Sequence, residues 1–205
     1  MNLPNTLTVS RLGLAGVMMA LLTLSYPYAR SMALLVFCIA GITDYLDGYI
    51  ARKRRLVSAF GRLMDPLTDK VMVCAAFVSF VEITVHRGGV VLPLVPAWIV
   101  VVIIAREFLV TGLRLLAATR GNIISAGKWG KHKTVWQIVA IVVLLLGEAV
   151  RTDLLRGADA KLLANYDFAF SYIAQGVAIA VAAITVASGG MYFYQHRELI
   201  ADGRP

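Results

Sequence analysis

The apolar runs of this chain approach the ~20 residues that carry a helix across a bilayer, and this limits the possible folds more than any other feature. They lie at about 12–24, 31–49, 67–85, 92–116, 134–150 and 168–194. A soluble domain of 205 residues would show shorter runs and more charge than the 59% hydrophobic and 16% charged residues found here. Mean hydropathy is +0.75. The expected fold is all-α: a polytopic membrane protein of six transmembrane helices, forming a single domain over residues 1–205 without linker or internal repeat.

The segments between the runs set the ends and orientation of these helices. Residues 1–11 are polar, and Pro4 suits the start of a short N-terminal interfacial helix. Tyr26-Pro27-Tyr28 supplies an aromatic turn at the interface, and Pro93 and Pro96 fall in the first turns expected of the fourth helix. Residues 151–167 read as a polar loop of mixed charge. Arg11, segment 52–62, segment 106–133 and the tail hold 14 of the 20 Lys and Arg residues. By the positive-inside rule that side is cytoplasmic, and it includes both termini. The same clustering accounts for the net charge of +8 and argues against nucleic acid as a partner. Cys38 and Cys74 fall inside apolar runs and read as small buried hydrophobes, not as a disulfide or metal ligands. The first run has no small-residue cleavage site after it, so no cleavable presequence is expected.

Against this background four carboxylates stand within 26 residues: Asp44, Asp47, Asp65 and Asp69. An ionised Asp well inside a bilayer is disfavoured by roughly 2.5–3.5 kcal/mol, so four together need a compensating partner. Asp44 and Asp47 are three apart, Asp65 and Asp69 four apart. On helices each pair shares a face, and the ends of the second and third helices can present all four toward one point. Hard oxygen ligands suit Mg²⁺ or Mn²⁺, and four carboxylates suffice for two ions. Two such ions can stabilise the attacking and leaving oxygens of a phosphoryl substitution. Gly48 lets a ligand approach the helix backbone, at a helix cost of about 1 kcal/mol relative to Ala. Two plainer readings stand beside this one. Asp65 before Pro66 fits a helix N-cap followed by an N1 proline, and Asp44 could pair with a nearby Arg.

The pattern D-x-x-D-G-x-x-A-R, eight residues, then G-x-x-x-D-x-x-x-D is met here by Asp44, Asp47, Gly48, Ala51, Arg52, Gly61, Asp65 and Asp69. It resembles the signature of the CDP-alcohol phosphotransferases, and the six-helix layout extends the likeness along the chain. The resemblance implies transfer of a substituted phosphate from a CDP-linked donor to an alcohol, with release of CMP. It also implies that Asp44, Asp47 and Asp65 ligate the metals, and that Asp69 is a ligand that also takes the proton from the attacking hydroxyl. Gly48 and Arg52 would contact the cytidine diphosphate, with Ser58 at a position where the family places a small hydroxyl residue.

The second half bears on the acceptor. Arg106 and Arg114 lie within about 80° of each other on a helix, and Lys131 and Lys133 flank the next one. Arginine suits phosphate through its fork geometry. Lys128 and Lys133 can equally be ordinary cytoplasmic charge, whereas Arg106 lies inside an apolar run where a free cation is costly. Glu107 is a candidate partner for it or for another Arg. Residues 2–11, Ala105–Phe108 with Thr111–Arg114, and Gly130–Thr134 look like the phosphatidylglycerophosphate synthase subfamily. That resemblance implies CDP-diacylglycerol as donor and sn-glycerol 3-phosphate as acceptor, with Arg106, Arg114 and Lys131 on the acceptor phosphate. Asn5 and Thr8 would line the nucleotide side, although a helix-start turn accounts for them equally. The implied setting is phospholipid synthesis in a bacterial inner membrane, with the site facing the cytoplasm.

Other acceptors within the same family are inositol phosphate, serine and phosphatidylglycerol. A divalent-cation transporter, using the aspartates as its pathway, fits less well. The acids cluster toward one face, and the fifth and sixth runs offer no continuing polar path. Trp98, Trp129 and Trp136 read as core or interface aromatics, and His86, His132 and His196 lack ligand spacing. Gly189-Gly190 permits close helix packing, with a homodimer contact as one use.

Overall fold

A computed structural model describes residues 3–54, 59–119 and 128–197, with side chains described over 10–43, 70–119 and 133–197. Among the described residues run six α-helices: α1 (Leu3–Thr23), α2 (Ala29–Arg54), α3 (Ala59–Glu82), α4 (Ala97–Thr119), α5 (Lys128–Ala149) and α6 (Ala160–Gln195). Between α3 and α4 stands a hairpin of two antiparallel strands, β1 (Thr84–Arg87) and β2 (Val90–Pro93). Lys133–Leu154 and Ala160–Gln195 are long and apolar enough to cross a membrane, and Ser10–Thr23 and Ala29–Thr43 are shorter apolar helical stretches.

Small side chains decide how the first three helices meet. Ala15 on α1, Ala33 and Ala40 on α2, and Ala75 and Ala76 on α3 are all buried, and α1 packs along both α2 and α3. Residues without bulk let helix backbones approach closely where no hydrophobic gain separates helix from lipid. Phe77, Phe80, Ile99, Ile103, Leu144 and Leu145 fill the centre. The opposite faces are apolar as well: Val101, Phe108, Ile179 and Val186 are each more than half exposed. A helix hydrophobic on both faces belongs in a bilayer. Trp98 and Trp136 are also exposed, which places them on the outward surface and not in the core.

The α5–α6 contact depends on one glycine. A Cβ at Gly147 would overlap the Phe170 ring, and the Gly147 carbonyl accepts a hydrogen bond from Tyr166 Oη at 2.8 Å. Tyr166 and Phe170 stack one helical turn apart, with ring centroids 5.7 Å apart.

Several boundaries differ from the sequence expectations, each for a local reason. The short N-terminal helix is not separate: α1 runs unbroken from Leu3 to Thr23, because no breaker stands between Arg11 and Leu12. The hairpin was not expected. Gly88 and Gly89 both take positive φ, +55° and +87°, which suits a two-residue turn, and β-branched Thr84, Val85, Val90 and Val91 flank it. Pro93 therefore ends β2 opposite Thr84, and α4 begins only at Ala97. Pro96 stays just outside that helix, its carbonyl accepting from Ile99 N at 3.0 Å. Residues 151–167 are largely helical, not a loop. One π turn, Val150–Leu154, extends α5, and α6 starts at Ala160.

Charge pairing explains that last difference. Arg151 donates from Nε and Nη2 to the two Asp167 oxygens, at 2.5 and 3.0 Å. Asp153 accepts from the backbone N of Tyr28 (3.0 Å) and of Ser31 (2.9 Å), and from the Ser31 hydroxyl (2.6 Å). The start of α2, the end of α5 and the first turns of α6 are thereby tied at one end of the bundle.

Candidate active site

Pro66 lies inside α3, eight residues into a helix that begins at Ala59. Asp65 is therefore interior, and the N-cap reading of Asp65 and Pro66 does not hold. An interior proline removes one helical hydrogen bond and costs about 3 kcal/mol, so the segment keeps it against its local preference. Asp44 and Asp47 stand in α2 and Asp65 and Asp69 in α3, so both pairs keep the same-face helical spacing. Only four residues, 55–58, separate the two helices. An oxygen-only set of four carboxylates fits a hard divalent cation. These four, with Gly48, Arg52, Asn5, Thr8 and Lys131, lie in helix segments whose side-chain surroundings are outside those described, and Ser58 lies outside the described residues altogether.

Next in sequence to Asp69, Lys70 opens the described part of the site. It donates to Thr111 Oγ1 on α4, and its Nζ is 3.9 Å from Glu107 Oε2. Glu107 is the hub of this layer. Its side chain is only 5% exposed, and its Oε1 accepts a hydrogen bond from Lys133 of α5, itself 4% exposed. Gln137, one turn along α5, reaches the same oxygen at 3.4 Å, and Arg106 Nη1 lies 3.6 Å from it. Thr111 Oγ1 donates to the Glu107 carbonyl at 2.7 Å. One carboxylate thus joins α3, α4 and α5, because a buried acid is tolerated only with charge-assisted partners.

Glu107 was expected to serve Arg106 or another Arg. Arg106 is near it, but the hydrogen-bonded partner is Lys133, whose role in the interior the sequence reading left open. The i, i+4 spacing of Lys133 and Gln137 on an apolar helix was the available signal. Arg106 and Arg114 stand two turns apart on α4, and each meets α6, Arg106 at Gly189 and Arg114 at Tyr192. Arg106 Nε is buried without a hydrogen-bond partner among the described residues. Arg114 points to α6, where Tyr192 accepts from its Nε at 3.2 Å. Gly189, expected at a helix contact, faces Arg106 within the chain. A cavity of about 390 Å³ adjoins the layer, sharing Lys70, Glu107 and Thr111 with it and otherwise lined by apolar side chains such as Val71, Ile104 and Phe108.

Chemically, the layer sets three cations, Lys70, Arg106 and Lys133, around the Glu107 carboxylate, with Arg114 two turns along α4 from Arg106 and held by Tyr192. An arrangement of this kind within apolar helices favours anions, and arginine favours phosphate.

Comparison with known proteins agrees with this chemistry. Residues 1–188 match the family described as CDP-alcohol phosphatidyltransferase. Over 211 aligned residues, covering 97% of each chain, the protein is 37% identical to one from Bacillus subtilis named CDP-diacylglycerol–glycerol-3-phosphate 3-phosphatidyltransferase. A Rickettsia bellii protein of the same name is 37% identical over 147 residues, 71% of this chain and 76% of that one. A rice protein named cardiolipin synthase (CMP-forming) is 34% identical over 187 residues, 87% of this chain and 54% of its own. The chain belongs to the CDP-alcohol phosphatidyltransferase family.

Proposed function

We propose that this protein transfers the phosphatidyl group of CDP-diacylglycerol to sn-glycerol 3-phosphate, forming phosphatidylglycerophosphate and CMP. The observation that carries this reading is the 37% identity, across 97% of both chains, to the Bacillus subtilis enzyme named for that reaction. The cation-rich layer around Arg106 and Arg114 supports a phosphate-bearing acceptor.

In this reading all six helices span a bacterial inner membrane, with both termini and the aspartate segment on the cytoplasmic side. CDP-diacylglycerol in the membrane and a soluble acceptor meet there. Asn5, Thr8, Gly48, Arg52 and Ser58 hold the cytidine diphosphate. Asp44, Asp47, Asp65 and Asp69 hold two Mg²⁺ or Mn²⁺ ions, which when bound neutralise the diphosphate and make CMP a better leaving group. Asp69 takes the proton of the attacking hydroxyl, for which its carboxylate must lie within hydrogen-bond reach. Arg106, Arg114 and Lys131 grip the acceptor phosphate, fixing the hydroxyl for in-line attack and replacing its water shell.

Purified protein with Mg²⁺, CDP-diacylglycerol and radiolabelled glycerol 3-phosphate should give lipid-soluble label and CMP. CMP formed only with inositol phosphate or serine would overturn the acceptor and leave the reaction class standing. The rice relative supports a second reading, with phosphatidylglycerol as acceptor, and CMP formed only with that lipid would favour it. Metal-dependent ion flux without CMP would overturn the enzyme reading.

A further inference from the structure

The last turns of α6 stand beyond residues 1–188, the part matched to the family, yet they touch both arginines of the acceptor layer. Arg114 Nε donates to the Tyr192 hydroxyl at 3.2 Å, and the guanidinium carbon lies 5.5 Å from the Tyr192 ring centroid. A guanidinium has five N–H donors. This bond occupies the single N–H at Nε and leaves the four on the terminal nitrogens, the fork that meets a phosphate with two parallel hydrogen bonds. Among the described residues Arg114 meets no carboxylate that would compete for those donors.

The hydroxyl that holds Nε is itself held. Tyr192 is buried and packs with Val110 and Leu113 of α4. Its ring stacks on His196 with centroids 4.6 Å apart, and His196 Nδ1 lies 2.9 Å from the Tyr192 carbonyl oxygen. One turn earlier, a Cβ at Gly189 would come within 3.1 Å of Arg106 Cγ, so the glycine leaves Arg106 its place. A single stretch of α6 therefore sets the orientation of one arginine and the room for the other.

We propose that Tyr192 is a positioning residue for the acceptor: it aims Arg114 so that its terminal nitrogens receive the phosphate monoester of a small phosphorylated alcohol. This rests on the reading of Arg106 and Arg114 as acceptor-phosphate donors. Tyr192 does not touch the reacting atoms, so its contribution falls on acceptor binding and not on the chemical step. A neutral acceptor gains nothing from it.

Tyr192→Phe in the full-length protein tests the proposal, because it keeps the ring, its packing and its stack and removes only the hydroxyl. The KM for glycerol 3-phosphate should rise roughly tenfold, the scale of one hydrogen bond to a charged group. The kcat, the KM for CDP-diacylglycerol and the thermal midpoint should stay near wild type. In an Arg114→Lys background, which has no Nε donor to hold, the same substitution should add nothing. An unchanged acceptor KM overturns the proposal. So does an equal penalty in the Arg114→Lys background, and so does a parallel loss of kcat, donor binding and thermal midpoint, which marks a purely structural residue. Wild type is assayed first. If it turns over glycerol 3-phosphate, the proposed function stands whatever Tyr192→Phe does. If it does not, the function falls, and this inference falls with it.

Discussion

Glu107→Gln tests whether one buried carboxylate holds three helices together. The substitution keeps the shape of the side chain and removes its charge. Lys133, 4% exposed, then loses its counter-charge, and the negative charge 3.6 Å from Arg106 and 3.9 Å from Lys70 is removed as well. Each of the two longer pairs has a gross attraction of about 4 kcal/mol at an effective dielectric of 20, most of it offset by desolvation. Removing one partner of a buried pair typically costs about 3–5 kcal/mol. The amide oxygen of Gln still accepts from Lys133, so the lower end applies, about 3 kcal/mol. For a chain of this length that lowers the thermal midpoint by about 6–12 °C. The assay is thermal unfolding in detergent of wild type, Glu107→Gln, and Glu107→Gln with Lys133→Met. The double variant should recover most of the loss, because charge and counter-charge leave together. A Glu107→Gln midpoint within about 2 °C of wild type would refute the reasoning, and so would a double variant whose losses simply add.

Other predictions are more local. Gly147→Ala drives a methyl group into the Phe170 ring and should cost about 1–3 kcal/mol, read as a lower thermal midpoint; Gly147→Ala with Phe170→Leu should regain part of it. Asp167→Asn breaks the two-point contact with Arg151 and should cost about 2 kcal/mol while leaving the acceptor KM unchanged, since Arg106 and Arg114 lie elsewhere. Asp69→Asn should abolish CMP release while CDP-diacylglycerol still binds in an equilibrium assay. Wild-type turnover would refute the proton-accepting role, and lost binding would make metal ligation its main role.

The long apolar runs were enough to find six helices, because outward-facing and core residues are both hydrophobic and leave the runs uninterrupted. They could not find the helix ends. The hairpin at Thr84–Pro93 sits between two such runs and shares their composition, and only Gly88-Gly89 between β-branched residues marks it. Asp167 and Arg151 looked like loop residues because each alone is polar; paired across 16 positions they become helix residues. The same limit applies at the site. Arg106 and Arg114 are recognisable from their spacing on one helix, but Lys133, Gln137 and Tyr192 join them from other helices, and distance along the chain hides that meeting.

The two ends of the bundle treat charge differently, and the difference bears on function. Where α2 starts and α5 ends, Arg30 and Arg151 stand among Glu148, Asp153 and Asp167, and the close contacts are internal: Arg151 with Asp167, Asp153 with the start of α2. Asp153 is twenty residues beyond Lys133, about 30 Å of helix, the thickness of a bilayer core. At the Lys133 end Lys133, Arg106 and Lys70 meet at Glu107, and Arg114 is held by the Tyr192 hydroxyl. Arg106 Nε is buried there without a hydrogen-bond partner among the described residues, which is costly unless an anion meets it. A phosphate monoester brings about −1.5 to −2 charges at neutral pH and is an anion that arginine suits. The end tied by Arg151 and Asp153 fastens the helices, and in the proposed function Arg106 and Arg114, at the other end, take the phosphorylated acceptor.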